Sequence, residues 1–266
     1  MNLLSKLTII TVLLVIPFMP ISLAEEIMIT YTEDMDDLVF DGKWTFFGEW
    51  KRTSQTQILY EDNSLIQLRT AHQGDFIYVF IDVVRDITLD KMSDRAMICI
   101  DGNNDKTIIP GHDDYCFGMG LNSKNPFVLQ GSSNIPTKSY FKKIPSPDGF
   151  IGISATSDNE DRYSKIPHPS YEFRIPIELF GRSDNYGFYM QVYDLHKNQF
   201  YSWPQHIEIN NYKIPSPSLW GTIISPDKSL PELELPILIF SLTIIMTIIF
   251  TKFWKQIPYY TFPSNK

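Results

Sequence analysis

Between residues 26 and 225, turn-forming residues recur about every ten positions, and no stretch carries a sustained 3.6-residue apolar period. A chain interrupted that often has no room for long helices and is driven toward short strands. Aromatic residues at 14% and 18 prolines point the same way. The expected fold class is all-β, an antiparallel β-sandwich. Strands are predicted near Glu26–Tyr31, Trp44–Trp50, Gln57–Tyr60, Leu65–Thr70, Phe76–Val84 and Arg95–Ile100. Further strands are predicted near Tyr115–Gly120, Phe127–Gln130, Phe150–Ala155, Tyr171–Ile175 and Tyr186–Tyr193. Phe76–Val83 is nearly all apolar rather than alternating, which predicts a central strand covered on both faces. One helical turn is predicted at Pro176–Phe180, with proline at its start and Gly181 beyond its end.

Two apolar runs bound this region. Leu7–Leu23 follows Lys6, is broken by Pro17 and Pro20, and leads through Ser22-Leu23-Ala24 into Glu25-Glu26. That is the pattern of a secretory signal cleaved after Ala24. Leu235–Thr251 holds no charge and as a helix would reach about 26 Å, near the lower limit for crossing hydrocarbon; Phe253 and Trp254 extend it. Lys252 and Lys255 follow the run, while Asp227, Glu232 and Glu234 precede it, which places the C-terminus in the cytoplasm. Pro215, Pro217, Pro226 and Pro231 make residues 211–234 read as a stalk. The expected organisation is a signal peptide (1–24), a sandwich domain (25–224), a free stalk (225–234), a transmembrane helix (235–254) and a cytoplasmic tail (255–266). This is a single-pass protein of the cell membrane with its domain outside. The net charge of −8 excludes nucleic acid as a partner, since that ligand needs a basic footprint.

An ordered set of short motifs runs through the domain. It begins with Asp41-Gly42, Trp44 and Glu49-Trp50, then the run Phe76–Asp86. Asp94-Arg95 and Ile100-Asp101-Gly102-Asn103-Asn104-Asp105 follow. Tyr171-Glu172-Phe173-Arg174-Ile175-Pro176-Ile177, Gly187-Phe188, Trp203-Pro204 and Trp220-Gly221 complete it. Over residues 36–224 this order and spacing resembles the family 9 carbohydrate-binding modules and their relatives in the DOMON-like β-sandwich superfamily. The resemblance implies a non-catalytic domain that binds a carbohydrate or glycan, with haem as the alternative ligand in that superfamily. It also implies paired tryptophans as the sugar platform. Trp50 and Trp203 are the candidates, with Tyr201, Gln205 and Arg95 as hydrogen-bonding or flanking groups. For Trp44 and Trp50, core packing is the competing reading, and for Arg95 a structural ion pair. A structural or adhesive surface protein without a small ligand is a third reading.

Other residues suggest a cation and a cross-link. Asp101, Asn103, Asp105, Asp113 and Asp114 concentrate oxygen ligands in one loop, as calcium requires, although Asp and Asn also simply make turns. Family 9 modules are understood to be stabilised by calcium, which the resemblance extends to this loop. Met97, Met119 and Met190 with His112 and His196 are the residues available for haem; no c-type attachment motif exists. No hydrolase, metalloprotease or phosphate-loop motif is present. Cys99 and Cys116 are the two cysteines of an exported chain. If Ile98 and Ile100 face the core, Cys99 faces away. If Tyr115 and Phe117 face the core, Cys116 faces away as well. An antiparallel pairing of Ile98 with Phe117 then sets the cysteines opposite one another and predicts a disulfide.

Overall fold

The computed structural model describes residues 25–132, 140–205, 207 and 214–226. The predicted signal peptide, free stalk beyond Pro226, transmembrane helix and tail lie outside the described residues. Among those described, no helix is long and apolar enough to cross a membrane.

Among the described residues, fourteen strands form two sheets. They are β1 (Glu26–Met28), β2 (Thr30–Tyr31), β3 (Ser54–Leu59), β4 (Leu65–Gln73), β5 (Phe76–Asp82), β6 (Arg95–Asp101) and β7 (Asp114–Gly120). The remainder are β8 (Phe127–Gly131), β9 (Phe141–Ile144), β10 (Ile151–Thr156), β11 (Pro169–Pro176), β12 (Asn185–Asp194), β13 (Gln199–Trp203) and β14 (Gly221–Ile224). The eight-stranded sheet runs β1-β14-β12-β6-β7-β8-β9, with β13 also on β12; the six-stranded sheet runs β10-β11-β5-β4-β2, with β3 also on β4. The sandwich is not purely antiparallel as expected. β1 pairs in parallel with β14 and β2 with β4, because the entering chain crosses from one sheet to the other at Ile29. The predicted helical turn is a 3-10 turn at Ile177–Leu179.

The strand-period alternation sorts side chains onto two faces. From β5, Ile77, Val79 and Ile81 point into the core between the sheets, against Ile98, Ile100 and Phe117 of the other sheet. Tyr78 and Phe80 point outward, yet they too are buried, under Met35, Trp44 and Trp50. The expectation that this strand is covered on both faces is met, and the cover is the strap of residues 38–53.

That strap was predicted to contain a strand at Trp44–Trp50, but it is a series of turns. Two buried glutamates satisfy its backbone in place of a ladder. Glu49 accepts from the amides of Val39 and Thr45, at 3.2 and 2.6 Å. Glu172, on β11, accepts from the amides of Asp41 and Gly42 and from the Trp50 indole, at 3.1, 2.7 and 3.0 Å. Gly42 has φ +88°, and a Cβ there would meet the Ser154 backbone at 2.4 Å, so only glycine lets the strap lie this close to β10.

The outer face of the eight-stranded sheet holds the cysteines. Cys99 and Cys116 are register partners, with Ile98 opposite Phe117 and Ile100 opposite Tyr115, as the alternation predicts. They form a disulfide with Cα atoms 4.0 Å apart, packed against Tyr189 and Trp220. Trp220 is carried there by a 3-10 turn at Pro217–Leu219, so residues 214–224 of the stretch read as stalk are packed into the domain.

Candidate functional site

β13 and β3 are edge strands of opposite sheets, each paired on one side only. Their hairpins lie side by side where the sandwich edges meet. The Tyr60 hydroxyl donates to the Ser202 carbonyl at 3.0 Å, and the Gln205 amide donates to the Leu59 carbonyl at 3.1 Å, joining the two sheets across the seam. Over this seam lies a groove of about 650 Å³ that includes Tyr60, Asp62, Lys197, Phe200, Tyr201 and Gln205 in its walls.

A polar network forms its floor. The Tyr201 ring sits in the core while its hydroxyl donates to Asp62 at 2.7 Å. Ser64 donates to Asp62 at 2.8 Å, and the Lys197 ammonium reaches Ser64 at 2.8 Å and Tyr201 at 3.2 Å. Burial alone would raise the Asp62 pKa, but the Tyr201 and Ser64 bonds and the Lys197 charge outweigh it and hold it at about 2. Asp62 and Lys197 form a solvent-exposed ion pair at 3.4 Å, with exposed Glu61, Asn198 and Gln199 around it and partly exposed Tyr60 and Phe200 rings beside it. A wall of rings and hydrogen-bonding side chains suits a ligand with C–H faces and many hydroxyls.

The structure divides the predicted sugar residues. Tyr201 and Gln205 belong to the groove; Trp50, Trp203 and Arg95 do not. Trp50 is 0% exposed, stacked on Phe80 at 5.3 Å and bonded to Glu172. Trp203 is 5% exposed and packs on Phe188 at 5.8 Å. Its ring fills the space above Gly221, where a Cβ would meet it at 2.3 Å. Both tryptophans are packing residues, which corrects their assignment as the stacking pair: neither offers a ring face to a ligand. Arg95 lies over the Tyr193 ring at 5.1 Å. A more exposed ring lies outside the groove. Phe47, on the strap, is 75% exposed beside a second concavity of about 500 Å³ that Arg52 and Asp34 also line.

The residues considered for haem are not brought together. Met97, Met119 and Met190 are buried, Met119 and Met190 between the sheets, while His112 and His196 are exposed.

The predicted calcium loop is also divided. Asn103 and Asp105 are exposed and Asp113 is half-buried; they accept amide bonds within the loop, from Asp105, Thr107 and Asn103 respectively, so these three are turn formers. Asp101 and Asp114 are register partners and buried. Burial, with Asp101 adding its charge, pushes Asp114 up to about 7. Oδ1 of each, together with the Asn104 and Thr107 side-chain oxygens of the same loop, is buried without a hydrogen-bond partner. Unpartnered buried oxygens fit a hard cation. A second acidic group, Asp86, Asp94 and Asp194, is buried with ligand oxygens within 4.8 Å of one another, and Asp194 Oδ2 lacks a hydrogen bond. Sequence reasoning missed this group. The available signal was an acid closing a long apolar strand, since burying a carboxylate is costly unless it has a partner.

Among the solved structures to which this chain is similar are two of one protein. Both are of a carbohydrate-binding module family 9 from Caldicellulosiruptor kristjanssonii, one in complex with cellotriose and one with glucose. The first is 15% identical, covering 78% of this chain and 98% of that one, with a TM-score of 0.47. The second is also 15% identical, covering 78% and 100%, with a TM-score of 0.49. No protein-family profile matches the chain, and no curated protein matches it.

Proposed function

We propose that this chain is an exported, membrane-anchored, non-catalytic domain that binds a glycan in the groove between β13 and the β3–β4 hairpin. The observation that carries the reading is the groove itself, where the partly exposed Tyr60 and Phe200 rings lie among polar side chains and the hydrogen-bonded Asp62–Lys197–Tyr201 network. The disulfide supports export, because such bonds persist in oxidising compartments. The terminal apolar runs support a cleaved signal and a C-terminal anchor.

The purified chain, applied to a glycan array and then titrated calorimetrically with the best ligand, should bind with a Kd of about micromolar to millimolar. Phe200→Ala and Gln205→Ala should each weaken binding about tenfold, as expected for one lost ring contact or hydrogen bond. Absence of any retained glycan would overturn the reading. Unchanged affinity in both variants with loss in Phe47→Ala would move the site to the strap.

Calcium belongs to the same proposal, at Asp101 and Asp114 or at the Asp86, Asp94 and Asp194 group. Chelation should lower Tm by several degrees and added calcium should restore it, since an ion that binds only the folded state stabilises by mass action. Asp114→Asn and Asp94→Asn, made separately, identify the responsible group. A Tm indifferent to chelator and calcium in the unsubstituted chain argues against both.

A further inference from the structure

The loop of residues 157–168, between β10 and β11, closes on itself. The Ser157 amide donates to the His168 carbonyl at 2.8 Å, and the His168 amide donates to Ser157 Oγ at 3.0 Å. The closed loop brings Asp161 and His168 against Asp82, the last residue of β5. All three are buried, with exposures of 1% or less. One ligand atom from each lies within 4.8 Å of the other two. His168 Nε2 is 2.6 Å from Asp82 Oδ1 and 3.9 Å from Asp161 Oδ1.

Three details distinguish this group from an ordinary ion pair. His168 Nδ1 is 2.7 Å from the Ile166 carbonyl and 2.9 Å from Ser157 Oγ; the carbonyl can only accept, which favours the proton on Nδ1, and both contacts hold the ring with Nε2 toward the carboxylates. Metal-bound histidines are oriented in the same way, by a carbonyl on the other ring nitrogen. Oδ2 of Asp82 and Oδ2 of Asp161 are both buried without a hydrogen-bond partner. The charges also do not close. With His168 protonated, two carboxylates and one imidazolium leave one net negative charge in a fully buried site. The nearby guanidinium of Arg69 donates to the Tyr163 hydroxyl and the Thr53 carbonyl instead. A dication with neutral His168 brings the sum to zero and gives both free oxygens a partner.

We propose that Asp82, Asp161 and His168 form a structural site for a divalent transition-metal ion of the zinc type. An imidazole nitrogen with two carboxylates suits zinc, whereas calcium takes oxygen ligands only. Bound there, the ion ties the loop to the outer face of the six-stranded sheet, beside Trp44 and the strap. The site is independent of the glycan groove and of the acidic groups considered for calcium.

The test uses the full chain, stripped of metal and kept in excess calcium so that the oxygen-only sites are silent. Zinc should bind at one ion per chain with a Kd of about 1 µM or tighter, and raise Tm by several degrees. Asp161→Asn and His168→Gln should each weaken zinc binding about 100-fold while leaving the calcium response unchanged. Asp161→Asn keeps an acceptor for the Tyr163 and Ser164 amides and leaves the His168–Asp82 contact in place, so it decides the matter if His168→Gln fails to fold. Cobalt in place of zinc should give a visible absorption band that disappears in the same variants. Failure to bind zinc, or stoichiometric binding that survives Asp161→Asn, would overturn the proposal.

Discussion

Glu172→Ala is expected to destabilise the domain by about 3–5 kcal/mol, because it leaves the buried Gly42 amide and Trp50 indole and the part-buried Asp41 amide without an acceptor at once. At about 2–4 °C per kcal/mol for a domain of this size, Tm should fall by roughly 6–20 °C. The strap should loosen first, so Trp50 fluorescence should shift to the red before the sheets melt. Glu172→Gln keeps one acceptor oxygen but turns an amide N–H₂ toward a donor, and an intermediate loss is expected. A melt within about 1 kcal/mol of the original for Glu172→Ala would mean the strap is held by ring packing alone.

The second large effect is at the disulfide. Cys99→Ala with Cys116→Ala should lower stability by about 3 kcal/mol, or roughly 6–12 °C in Tm, the chain-entropy value for a closed loop of this length. The cross-link joins two strands across which the Asp101–Asp114 loop is hung, so the loss should also weaken any cation response at that pair. Mass spectrometry of unreduced protein should show no alkylatable cysteine. Two modified cysteines in oxidised, folded material, or a Tm indifferent to reductant, would contradict this.

Most of the sandwich was legible in the chain, and the cysteines show why. Alternation has a period of two, so fixing which of Ile98 and Cys99 faces the core fixes the whole of β6, and likewise for β7. Register then follows without knowing the rest of the fold. The strands missed were β9, β13 and β14, which are four or five residues long. Segments that short show little alternation, and Pro204 and the prolines before Trp220 made β13 and β14 look like loop. The error at Trp44–Trp50 had a different origin. The segment has the aromatic content of a strand, but its backbone amides are taken by carboxylates from Glu49 and from Glu172, the latter over 120 residues away in sequence.

The same distinction separates what the chain alone determined from what only the tertiary structure decided. Strand positions, the cysteine pairing and the doubly covered β5 rest on local patterning, which depends on neighbours one or two residues away. The fate of the tryptophans did not. Trp50 is buried because a strap lies over Phe80, and Trp203 because Gly221 makes room for its ring. The acids that meet were equally hidden: Asp82 with Asp161 and His168, and Asp86 with Asp94 and Asp194, are gathered from separate strands and loops. Alternation tells which face a side chain takes. Which loop folds over that face is decided by packing and by the pairing of buried polar groups, and those exist only once the two sheets have closed on each other.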